Sequence, residues 1–263
     1  MGDERLPPVT LEPDRPWSLL RLVNQGDFSC EYQPFICPTS GEVGGYEALA
    51  RFWIDGRELL PSAVFADADR DPALFLVLES ELKSLQIRNR PDGVPIFVNL
   101  HPAMCSQRQL MDHWVELLSP FNDVVVELVE SSRVLDLAEL HRFVAKLRGA
   151  GIPCALDDVG SPDSLFSFEL LEACSFLKLD RGWISKLQSD ASYRLLLDGI
   201  LAFCRKKRIV TVLEGVETTE HLELAVGCGI DLVQGFRYAE LFQRPTHPNE
   251  PKGFEGPVSS LGA

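Results

Sequence analysis

Asp157 and Asp158 stand side by side at the end of a short apolar run that starts at Ile152, and a loop signal, Gly160-Ser161-Pro162, follows at once. Two adjacent carboxylates repel each other unless positive charge lies between them. Alone, such a pair is a common turn feature. It gains meaning because other apolar runs carry polar groups in the same way. Glu47 and Arg51 share one run, Asn99 ends a second, and Glu127 and Glu130 belong to a third. Lys178 and Asp180 close a fourth, Glu214 and Glu217 a fifth, and Gln234 a sixth. The two-residue strand period puts Glu47 with Arg51, and Lys178 with Asp180, on one face of their strands. Carboxylates are depleted from strands, so this many of them point to one shared cavity.

Acids crowded into a cavity are desolvated and repel one another, which raises their pKa values until they protonate. Lys178 and Arg51 are too few to balance them. Hard divalent cations can, and a set of Asp, Glu and Asn without His or Cys favours Mg2+ or Mn2+ over zinc. Two such ions, about 3.5–4 Å apart and bridged by one Asp, form the hydrolytic clamp used on phosphate esters.

The elements that must position these groups are legible as alternation. Strands are expected at Phe28 to Cys37, Gly45 to Phe52, Ile96 to Leu100, Val124 to Val129, Pro153 to Asp157, Phe176 to Asp180, Ile209 to Glu214 and Leu232 to Phe236. Helical periodicity lies between most of them, as at Pro72 to Arg88, Leu137 to Gly149, Tyr193 to Lys207 and Thr219 to Val226. A short helix opens at Pro16 and stops near Asn24-Gln25-Gly26. Eight strands alternating with helices predict an α/β fold, a modified (β/α)8 TIM-type barrel whose catalytic groups gather at the strand C-termini. The link Pro38-Thr39-Ser40-Gly41 is too short for a crossover helix, so the first strand should run antiparallel. Residues 1–16, rich in Pro and charge, read as a flexible leader, 17–245 as one barrel domain, and 246–263 as a tail.

The bulk numbers narrow the function. With 263 residues, 45% hydrophobic and 24% charged, the chain is long enough to bury a sizeable core. A net charge of -14 excludes a duplex nucleic-acid binder, which needs a basic face, but admits a small phosphate ligand bound through metal. Seven cysteines, scattered singly, suit a reducing compartment, and no apolar run is long enough to span a membrane. A cytoplasmic location is expected.

The motifs also carry a resemblance. Glu47-Ala48-Leu49-Ala50-Arg51 resembles the signature of the EAL-domain cyclic di-GMP phosphodiesterases. So do Tyr32-Gln33-Pro34, Val98-Asn99-Leu100, Glu127-Leu128-Val129-Glu130, Asp157-Asp158-Val159-Gly160, Lys178-Leu179-Asp180, Glu214-Gly215-Val216-Glu217-Thr218 and Gln234-Gly235, in the family's order from about residue 17 to 245. The resemblance implies hydrolysis of cyclic di-GMP to linear pGpG with two Mg2+ or Mn2+ ions, inhibition by Ca2+, and a homodimer answering to a regulatory partner. It implies that Glu47, Asn99, Glu127 and Asp157 hold one metal. Asp157 bridges, with Asp158, Asp180 and Glu217 serving the second metal or its waters. Glu214 and Lys178 position and activate the attacking water, Arg51 meets a substrate phosphate, Gln234 lines the pocket, and Glu130 steadies the loop after Asp158.

That loop departs from the family pattern. Residues 159–165 read Val-Gly-Ser-Pro-Asp-Ser-Leu, with Pro162 where the family has a glycine, and Val129 replaces a Thr. Ala239-Glu240 stands where the family has a small residue followed by Arg-Pro. The departures leave an alternative: a catalytically weak or inactive EAL domain acting as a cyclic di-GMP receptor or protein-interaction module.

Overall fold

Eight strands close on themselves in the computed structural model, which describes residues 19–66, 71–101, 107–129, 137–162 and 167–244. The chain begins with α1 (Leu19–Gln25), β1 (Phe28–Ile36) and β2 (Val43–Ile54), then β3 (Arg57–Leu59), α2 (Pro61–Phe65) and α3 (Pro72–Arg88). Strand and helix then alternate through β4 (Ile96–Asn99), α4 (Arg108–Leu118), β5 (Val124–Val129), α5 (Leu137–Gly149), β6 (Cys154–Val159), α6 (Phe168–Ala173) and β7 (Phe176–Leu179). The helices α7 (Gly182–Ser189) and α8 (Ser192–Lys207) lead to β8 (Val210–Leu213), α9 (Thr219–Cys228), β9 (Leu232–Val233) and a 3-10 turn at Phe236–Leu241. The sheet runs β1-β9-β8-β7-β6-β5-β4-β2-β3, and β1 pairs with β2 to close it. Successive strands from β4 to β9 pair in parallel, and β2 joins them in parallel through Glu47 opposite Phe97. Within the closed ring β1 runs against β9, with Ile36 antiparallel to Val233, and outside it the short β3 pairs antiparallel with β2. The modified (β/α)8 barrel and its reversed first strand are therefore as the sequence predicts.

The chain gathers into two compact units, and β1 and β2 contribute residues to both. Among described residues the larger unit comprises 32–48, 90–101, 107–129, 137–162 and 167–242. Its interior is layered by the strand period. Phe35, Phe97, Val125, Ala155, Val212 and Leu232 form one buried cluster, with Phe176 packed against it. Phe97 meets both Phe35 and Phe176 edge-on, each with ring centroids 4.7 Å apart. Gly45 belongs to this layer, because a Cβ there would lie 3.0 Å from the Phe97 ring and 3.1 Å from the Pro95 carbonyl. Two residues further along each parallel strand stand Glu47, Asn99, Glu127, Asp157, Lys178, Glu214 and Gln234. The apolar plug thus fixes which side chains point inward one layer above it.

The smaller unit comprises residues 19–31, 49–66, 71–89 and 243–244. Here β2 turns back into β3 at Asp55-Gly56, both with positive φ, as a two-residue hairpin requires. Asp71 caps α3 by accepting the Leu74 N–H, and Pro72 stands at its first turn. The sequence reading passes over β3 and α2, and it extends the last strand to Phe236. Beyond Val233, Gln234 keeps backbone pairing of this kind, its N–H donating to the Leu213 carbonyl at 3.0 Å and its carbonyl accepting the Val216 N–H at 2.9 Å, before the chain coils into the 3-10 turn. The proposed leader and tail lie outside the described residues.

Candidate active site

Lys178 is the centre of the polar layer. Its ammonium lies 2.8 Å from Glu127 Oε1, 2.8 Å from Asp157 Oδ1, 2.9 Å from Glu214 Oε1 and 3.6 Å from Glu47 Oε1. Four strands deliver those acids, and β7 places the lysine among them, 5.8 Å above the Phe35 ring of the plug. Asn99 donates from Nδ2 to Glu47 Oε1 at 3.0 Å and to Glu127 Oε2 at 2.8 Å. Gln234 donates to the other Glu47 oxygen at 2.7 Å. The two amides leave their own carbonyl oxygens available as further acceptors.

One ammonium cannot neutralise four carboxylates, three of them buried and Glu214 half-buried, and the proton equilibria follow from the deficit. Burial and then the neighbouring Glu47 charge push Glu127 well above the usual carboxylate range. Burial carries Glu214 up to about 8, against the pull of Lys178. Burial would also raise Glu47, but the Lys178 ammonium and the hydrogen bonds from Gln234 and Asn99 outweigh it and hold this acid below its ordinary value. Lys178 itself, though desolvated, is raised well above an ordinary lysine by Asp157, Glu127, Glu214 and Glu47.

Asp158 joins the group through a backbone irregularity. Consecutive strand residues point to opposite faces, so two adjacent aspartates cannot both face inward on a regular strand. At Asp158 the chain turns to φ 55, the β6–β7 register shifts between Leu156 and Val159, and the Asp158 N–H donates to Asp157 Oδ1 at 3.0 Å. Left-handed backbone is less costly for Asp than for most residues. Burial, with the adjacent Asp157 charge, raises the Asp158 carboxyl to about 6.

Two acid triads result. Glu47, Glu127 and Asp157 bring one oxygen each within 4.8 Å of one another, and so do Asp157, Asp158 and Glu214. Asp157 belongs to both. An all-oxygen donor set carrying more negative charge than its lysine can balance fits hard divalent cations. Asp180 and Glu217 are in neither triad. Asp180 is half-buried and accepts the Gly182 N–H at 2.9 Å, while its charge contributes to raising Asp158. Glu217 is exposed. Arg51, in the smaller unit, donates to Glu31 and to the Ala50 carbonyl. Glu130 and residues 163–165 lie outside the described residues.

The sequence reading misses the clamp behind the Asp pair. Trp183 Nε1 donates to the Val159 carbonyl at 2.8 Å, and the Lys186 ammonium donates to the Gly160 carbonyl while lying over the Trp183 ring. Gly160 has φ 90, and a Cβ there would stand 2.3 Å from Trp183 Nε1. It also misses Glu31, a buried carboxylate in β1 that the test applied to the other strand acids would have found.

The closed barrel gathers acids from successive strand ends into one layer, and the comparisons with known proteins name the family. The EAL domain family profile matches residues 18–240, and the chain belongs to that family. It is 27% identical over 241 residues to the cyclic di-GMP phosphodiesterase RocR of Pseudomonas aeruginosa, covering 86% of this chain and 59% of RocR. It is 24% identical over 239 residues to the probable cyclic di-GMP phosphodiesterase PdeN of Escherichia coli, covering 87% of this chain and 46% of PdeN. The chain therefore spans about half the length of these relatives. Among solved structures it resembles Klebsiella pneumoniae BlrP1 in a manganese and cyclic di-GMP complex, with a TM-score of 0.66 and 22% identity over 80% of this chain and 55% of that one. No helix among the described residues is long and apolar enough to cross a membrane.

Proposed function

We propose that this protein hydrolyses cyclic di-GMP to linear pGpG with the aid of two Mg2+ or Mn2+ ions. The observation that carries the reading is the pair of acid triads joined at Asp157 around the Lys178 ammonium. The EAL family membership, the names of the relatives and the manganese complex of BlrP1 support it. Glu47, Asn99, Glu127 and Asp157 would hold one ion, and Asp157 and Asp158, with Asp180 and Glu217, the other or its waters. Bound cations of this kind neutralise the acids and make a bound water more acidic. Glu214 takes the proton of the attacking water. Lys178 donates to the phosphoryl oxygens as negative charge builds there, a contribution of about 10²–10³ in rate for a single donor. Arg51 meets a phosphate and Gln234 lines the pocket. The water oxygen bonds to phosphorus, one P–O3′ bond breaks, and the released 3′ oxygen takes up a proton, leaving a 5′-phosphate.

In the same reading residues 17–245 work as the catalytic barrel of a cytoplasmic homodimer under a regulatory partner, Ca2+ inhibits, and Glu130 steadies the loop after Asp158. The test is chromatography of cyclic di-GMP incubated with the protein and Mn2+. Accumulating pGpG is expected, with a loss of at least about 10²-fold in Lys178→Ala. Intact nucleotide alongside measurable binding would favour the receptor reading, which the altered loop with Pro162 and the departures at Val129 and Ala239-Glu240 support.

A further inference from the structure

Arg51, assigned to a substrate phosphate alongside Lys178, is not left to find its own orientation. Its Nη2 donates to Glu31 Oε1 at 2.6 Å, its Nη1 donates to the Ala50 carbonyl at 2.9 Å, and Glu58 Oε1 lies 3.7 Å from its Nε. A guanidinium is a rigid fork of five N–H donors, so two hydrogen bonds and an ion pair beside its Nε restrain its plane. The side chain stays 17% exposed, so part of that fork is reachable from solvent. Glu31 is a different case: its side chain is 2% exposed, in a strand where a carboxylate is costly. Its second oxygen accepts from Nε of Arg244. The Arg-Pro pair that is absent at Glu240 recurs four residues on as Arg244-Pro245, and this arginine is the one that reaches Glu31.

We infer that Glu31 is a positioning residue for substrate binding: with Arg244 on its second oxygen, it holds Arg51 in the orientation that meets a phosphate of cyclic di-GMP. The inference rests on the hydrolase reading above. Its physical content is entropic. A long side chain immobilised before the ligand arrives has no rotamer freedom left to lose on binding. Neutralising Glu31 gives that freedom back without touching the acids around Lys178, so substrate affinity changes and the chemical step does not.

Steady-state hydrolysis with Mn2+ on the full chain tests this. In Glu31→Gln the KM for cyclic di-GMP is expected to rise on the order of ten-fold, the effect of freeing one long side chain, while kcat stays within about two-fold. Arg244→Gln, a change at a more exposed residue, raises KM by a smaller factor. Glu31→Gln combined with Arg51→Ala raises KM no further than Arg51→Ala alone, because the two act as one unit. An unchanged or lowered KM in Glu31→Gln or in Arg244→Gln overturns the inference, as does additivity in the double variant. If Glu31→Gln fails to fold, the Arg244→Gln result decides. Absence of both turnover and binding in the unsubstituted protein would sink the hydrolase reading itself, and it is told apart because that protein is measured first.

Discussion

At the scale of single residues, the site is a problem of unbalanced charge solved around Lys178. The acids nearest to it do not share one protonation state, and Glu214 is the clearest case because burial carries it up to about 8. The sign of the consequence is fixed. A carboxyl whose folded pKa lies above its unfolded value binds a proton in the folded chain that the unfolded chain has released, so stability falls as pH rises between the two. Metal-free protein should therefore lose stability as pH rises from the ordinary glutamate range toward 8, and Glu214→Gln should flatten that slope. Urea unfolding of EDTA-treated protein at several pH values checks it. The site acids were legible because Glu127, Asp157 and Lys178 occupy strand positions where charge is improbable without a purpose. Glu31 satisfies the same criterion, but no neighbour in sequence announces its partner Arg244, more than two hundred residues away. Trp183 was not legible at all: its indole N–H answers to a backbone carbonyl, and nothing in the sequence marks which one.

Whole elements act through register. The strand period that stacks Phe97 beneath Asn99 and Phe176 beneath Lys178 turns a choice of apolar residues into a choice of site geometry. Alternation of strands and helices was visible in the sequence because buried parallel strands read as apolar runs. Short elements were not visible. Arg57-Glu58-Leu59 is too polar and too brief to register as β3, even though Asp55-Gly56 is a hairpin signal. The clamp from α7 belongs to this scale, since it ties one helix to the strand end carrying Asp157 and Asp158. Trp183→Phe keeps the ring and removes the hydrogen bond to the Val159 carbonyl. It should cost about 1 kcal/mol of stability, and it should weaken Mn2+ binding several-fold by loosening the turn at Asp158. Denaturant titration and calorimetry read the two effects separately. A stability loss with unchanged Mn2+ affinity would limit Trp183 to packing.

For the molecule as a whole, 39 acidic against 25 basic residues make cations its natural counterparts and polyanions poor ones. Under the proposed function an acidic protein meets a phosphodiester and needs local positive charge, and Lys178 supplies one unit where four acids converge. The composition foretold this need without locating it. The location came from eight motifs agreeing in order, which no bulk property can supply. The loop after Asp158 departs from the family pattern, with Pro162 in place of a glycine, so the metal centre is the better place to press. Titrating metal-free protein with Mn2+ in a calorimeter at neutral pH tests the central claim most directly. Two ions should bind per chain, with proton release, and Asp157→Asn, which alters the acid common to both triads, should reduce both events. Absence of saturable binding in the unsubstituted protein, or retention of both ions in Asp157→Asn, would contradict it.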